Sequence, residues 1–101
     1  MPDLTYAPRP LAALPAAVRE PSYAAQILTV TAWVLEQDPA RAVTETGLHR
    51  ALQTAAATIV GTLPAVVAET ATLRARAELP PYTGTSRGEY ALRLRAAAKG
   101  I

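Results

Sequence analysis

The chain has 101 residues with a formal net charge of +2, and half of its residues are apolar. That length suits one domain with a thin core. The mild charge singles out no partner, and the absence of cysteine excludes a disulfide framework and any thiolate metal site.

Residues 1–21 hold five of the nine prolines: Pro2, Pro8, Pro10, Pro15 and Pro21. Proline lacks an amide hydrogen and restricts the residue before it, so neither a long helix nor a central strand fits here. The reading is a proline-rich arm with short helical turns over 1–21, followed by a helical domain over 22–101. The arm carries four apolar anchors, Leu4, Tyr6, Leu11 and Leu14. Its start, MPDLTYAPRP, has no basic segment followed by an apolar run, so it does not read as a signal peptide.

The stretch Tyr23–Gln37 is the element around which the rest must be organised. It contains the single tryptophan, Trp33, and no charge before Glu36. Ala24, Ile27, Leu28, Thr31, Val34 and Leu35 recur at the spacing of one helical face. Ser22 is the expected N-cap. An alternating strand pattern over Leu28–Val34 competes, but 15 residues exceed the usual strand of ~5–6. Val30 and Trp33 lie off the helical stripe, and a helix apolar beyond one face is covered on more than one side.

Asp38-Pro39 reads as a stop and restart. Val43, Leu48, Ala51, Leu52, Ala55 and Ile59 then fit an inward face, with Thr54 and Thr58 outside. Pro39–Val60 is compatible with one helix, or with two if Gly47 breaks it and Thr44 or Thr46 caps the second. Thr62 is the expected cap of a helix over Leu63–Leu79, with Leu63, Val66, Val67, Thr70, Leu73 and Ala77 inward. Pro80-Pro81 ends it, and Tyr82–Thr85 is loop. Ser86-Arg87-Gly88-Glu89 has the form of a capping box and opens a helix to Lys99 that Gly100 stops. Tyr90, Leu94 and Ala97 are its inward positions. The fold class is all-α, a small bundle of about four helices.

No catalytic constellation stands out. The chain has one histidine, His49, and two serines, Ser22 and Ser86, both at cap positions. The eight acidic residues are scattered, without calcium-loop or paired-carboxylate spacing. No glycine-rich phosphate loop occurs. The expectation is a non-enzyme with no cofactor, no metal and no evident small-molecule ligand. Residues 51–68 are uncharged but consist mainly of alanine and threonine, with Gly61 and Pro64 inside, so no membrane span is expected.

The charge is lopsided. From Arg74 onward six basic residues, Arg74, Arg76, Arg87, Arg93, Arg95 and Lys99, face two acidic ones, which gives +4. The chain before Arg74 carries −2. A basic end offers contacts to phosphates, so these six residues are the nucleic-acid contacts of an alternative reading, a small DNA-binding regulator. A helix-turn-helix aligned on Gly47 fits poorly, because Thr46 and Gln53 fall where apolar residues are wanted.

Twenty-three alanines and no phenylalanine leave the core short of large side chains. Together with the surplus face of Val30 and Trp33 and the apolar anchors of the arm, this favours a non-catalytic interaction or assembly protein that self-associates. Leu4, Tyr6, Leu11, Leu14, Val30 and Trp33 are its expected interface. Nine arginines against one lysine, and no asparagine, match a high-GC bacterium or a phage or mobile element living in one. The expected location is the cytoplasm or an assembled phage particle.

Overall fold

The computed structural model describes residues 21–101. They form a bundle of four α-helices without a strand: α1 (Tyr23–Leu35), α2 (Glu45–Val60), α3 (Ala65–Ala77) and α4 (Arg87–Lys99). The all-α class is therefore as the periodicities predict. Residues 1–20 of the arm, including Leu4, Tyr6, Leu11 and Leu14, lie outside the described residues.

α1 is the centre of the bundle. It packs against all three other helices, most extensively against α4 and α2, while α2 also meets α3. The Ser22 hydroxyl accepts from the Ala25 amide at 3.1 Å, satisfying one of the free donors of the first turn. Ala24, Ala25, Ile27, Leu28, Thr31, Ala32 and Leu35 are buried, and Val34 is half-buried. Burying each of Ile27, Leu28 and Leu35 contributes about 1.5–3 kcal/mol. Thr31 is tolerated inside because its hydroxyl donates to the Ile27 carbonyl at 2.7 Å.

α1 ends at Leu35, two residues before Gln37. Asp38-Pro39 does not restart a helix. The chain turns through Gln37 N–H to Val34 O (3.3 Å), Asp38 N–H to Leu35 O (3.2 Å) and Arg41 N–H to Asp38 O (3.2 Å). It then runs extended beside the segment that leads into α4. Gly88 N–H donates to Pro39 O (2.9 Å), Arg87 N–H to Arg41 O (2.8 Å) and Val43 N–H to Thr85 O (3.0 Å), around an antiparallel bridge between Ala42 and Ser86. These bonds use backbone groups that a helix through Pro39–Val43 would have kept for itself.

Neither arrangement expected for Pro39–Val60 is formed as such: the helix begins only at Glu45, with the Thr44 cap of the two-helix reading, and the segment before it is not helical. Thr44 caps α2, accepting from Gly47 N at 3.1 Å. Val43, Leu48, Ala51, Leu52 and Ala55 are buried and Ile59 half-buried, while Thr54 and Thr58 face out. α4 opens as its sequence predicts, with the Ser86 hydroxyl accepting from Glu89 N at 3.3 Å. Tyr90, Ala91 and Leu94 enter the core from it, and Ala97 packs at its edge. The Tyr90 hydroxyl donates to Pro80 O at 2.6 Å.

α3 departs from expectation. Its N-cap is Pro64, without a side-chain cap, so Thr62 does not fill that role. The buried residues are Ala71 and Ala75, with Ala68 half-buried, whereas Val66 (76 % exposed), Leu73 (67 %), Val67 and Ala77 lie outside. The helix is turned about half a revolution from the face its large apolar residues define. Alanine is what α3 turns toward the core, and its larger side chains are left in water.

Candidate functional site

No helix of the described residues is long and apolar enough to cross a membrane. Among the described residues, no three histidine or carboxylate side chains come together. His49 is exposed on α2, and both serine hydroxyls are engaged as helix caps.

The two described residues of the expected interface differ in exposure. Val30 is half-buried and packs at the edge of the core, while Trp33 is 59 % exposed on the outer side of α1. A larger apolar surface sits where the sequence did not point. Between α2 and α3 lies an open groove of about 670 Å³, floored by Ala56, Ala57, Gly61 and Ala68 and edged by Leu63 and Leu73. Its walls are low because its residues are small. The outward face of α3 forms the adjoining ridge, with Val66 and Leu73 seven residues apart on one stripe. Glu69 and Arg76 share a neighbouring stripe, also seven apart and both exposed. The signal for this surface in the sequence was the alternative alanine stripe at 68, 71 and 75, which lets the large residues face outward.

The basic residues of the C-terminal half do not form one face. Arg74 and Arg76 are exposed on different sides of α3. Arg93 on α4 donates to Pro81 O (3.3 Å) and Thr85 Oγ1 (3.2 Å), holding the loop before its own helix. Arg95 forms a two-pronged ion pair with Glu36 just beyond α1. Lys99 is exposed in the last turn of α4, where a positive charge complements the helix dipole. Arg87 turns away from these toward the start of α2, where it shares a cavity with Arg41 and Arg50, two residues outside the basic C-terminal run.

Burial pushes the Tyr90 hydroxyl up to about 12, a rise that Tyr82 reinforces and the Arg93 charge opposes. A phenol that stays protonated at physiological pH and is bonded to a backbone carbonyl acts as a structural pin. No family model, curated protein or solved structure matches this chain.

Proposed function

We propose that this is a non-catalytic assembly protein that self-associates through α3, working in the cytoplasm or within a phage particle. The observation that carries the reading is the inverted polarity of α3, with alanines inward and Val66 and Leu73 outward. Large apolar side chains left in water beside an apolar groove mark an interaction surface.

A second copy of the chain fits that surface. In an antiparallel pair of α3 helices related by a two-fold axis near Thr72–Leu73, Glu69 of each copy faces Arg76 of the other. The Val66–Leu73 ridge then lies along the alanine-floored groove of its partner. Such an interface is isologous, with one patch meeting itself. The engaged serines, the exposed His49 and the lack of a carboxylate cluster among the described residues support a non-catalytic role. The dispersal of the C-terminal arginines gives the DNA-binding reading no support.

Charge reversal tests this without touching the core. Light scattering coupled to size exclusion should give a dimer mass at tens of micromolar for the wild type. Glu69→Arg alone should shift it toward monomer, because like charges then meet twice across the axis. Glu69→Arg combined with Arg76→Glu should restore the dimer. Trp33→Ala measures whether the interface extends round α1, since truncating a hot-spot tryptophan costs ~2 kcal/mol or more. A wild-type monomer, or a dimer indifferent to Glu69→Arg, would sink the α3 interface.

A further inference from the structure

The starts of α2 and α4 are drawn together by the bridge between Ala42 and Ser86. Both helices direct the positive end of their dipole to this corner, although the first amides of α4 are already taken, Arg87 N–H by Arg41 O, Gly88 N–H by Pro39 O and Glu89 N–H by Ser86 Oγ. Three arginines from three segments meet there: Arg41 from the α1–α2 connection, Arg50 from α2 and Arg87 from the first position of α4. All three line one surface cavity of about 320 Å³, together with Thr44, Thr46 and Gly47 at the start of α2. No carboxylate lines it. Asp38, Glu45 and Glu89 are close in sequence, yet among the described residues the ion pair formed is that of Glu36 with Arg95, not one with these three arginines.

Glu45 and Glu89 stand in the first turns of the two helices, but neither lines the cavity, so the three guanidinium charges that do line it meet no counter-charge there. Two details show that the arrangement is built in. Gly47 leaves room for the Arg87 guanidinium: a Cβ at that position would lie 2.9 Å from Arg87 Nη2 and 3.0 Å from Thr44 Oγ1. Arg87 Nε is closed off from solvent and, among the described residues, has no hydrogen-bond acceptor. That Nε is out of a ligand's reach, but Arg87 also lines the cavity, where an oxyanion would compensate its charge.

We propose that Arg41, Arg50 and Arg87 bind the dianionic phosphoryl group of a small phosphate monoester. Guanidinium forks match tetrahedral oxyanions in bidentate geometry. Convergence of three on one cavity suits a single doubly charged group better than the spaced single charges of a nucleic-acid backbone, which a row of basic residues would follow. A cavity of this size takes the phosphoryl group and a few attached carbons. This site stands apart from the α3 interface and does not depend on it.

The test uses the full chain with inorganic phosphate and glycerol 3-phosphate as probes. Both should raise the melting temperature above that in sodium chloride of equal ionic strength, and titration calorimetry should give a saturable one-site isotherm. Arg50→Gln, on the exposed face of α2, should weaken binding tenfold or more while keeping the helical circular dichroism of the wild type. Arg74→Gln, away from the cavity, should leave binding unchanged. A melting temperature that follows ionic strength alone, or binding indifferent to Arg50→Gln, overturns the proposal. So does Arg50-dependent binding of a short duplex oligonucleotide without binding of either small phosphate, which would assign the cavity to nucleic acid.

Discussion

Replacing Tyr90 by Phe separates two effects that the buried phenol combines. At neutral pH the variant loses the 2.6 Å bond to Pro80 O, a net cost of about 0.5–1.5 kcal/mol. Pro80 is only half-buried, so water can take over its carbonyl and the larger penalty of an orphaned acceptor does not apply. The alkaline range reverses the comparison. Tyr90 titrates at 10.0 when unfolded and at about 12 when folded. Because the folded value is the higher one, its stabilising effect is complete below pH 10 and is lost as pH rises through 12. The gap corresponds to about 3 kcal/mol in full, and about half of it is gone by about pH 11. Phenylalanine has nothing to ionise. The wild type should therefore exceed Tyr90→Phe by about 1 kcal/mol at pH 7, and the two should become equal near about pH 11. Urea unfolding followed by circular dichroism at both pH values measures this, and the difference between the proteins cancels the titration of all other groups. A gap that stays constant from pH 8 to 12 would show that Tyr90 is not buried against Pro80.

Leu28→Ala should cost ~2–5 kcal/mol, because Leu28 is fully enclosed at the centre of a core with few other large side chains; the urea midpoint reports it. Gly84 has φ +72°, so Gly84→Ala should destabilise by about 1 kcal/mol although open space surrounds the position. Glu36→Gln removes the ion pair with Arg95, whose side chains remain about one-third exposed, and should cost under ~1 kcal/mol, with the difference shrinking in high salt. Amide exchange at pH 7 should be fastest in α3, which buries only two alanines, and slowest in α1.

What was legible in the sequence was local. Ser22 and Ser86 cap the helices they precede, as does Thr44, one of two candidates for α2, because a cap depends on residues two or three positions away; Thr62, displaced by Pro64, is the exception. The inward faces of α1 and α4 could be read because each has one stripe of large apolar residues. In α3 every face offers an apolar residue, and periodicity alone cannot say whether valine and leucine or alanine turn inward. The packing distance to α1 decides that, and it is a tertiary quantity. The start of α2 was obscured for a similar reason. The segment around Pro39–Val43 is held by bonds to Thr85, Arg87 and Gly88, residues more than forty positions away. The same long-range pairing explains why Arg41 and Arg50 were missed: they join Arg87 only after the bridge has formed, and no linear run of charge links them.

That bridge also bears on the order in which the chain assembles. α1 finds its most extensive partner in α4, and Ala42 must meet Ser86 across the whole of α2 and α3. Neighbouring helices can nucleate and pair early, since short loops close at little entropic cost. Joining α1 to α4 closes the longest loop of the bundle, over both α2 and α3. Folding should therefore be paced by α1–α4 docking, and the exposed face of α1 stays open to other chains until α4 arrives. Mutations in the Ala42–Ser86 seam, far from the centre of the core, would then slow folding more than they speed unfolding.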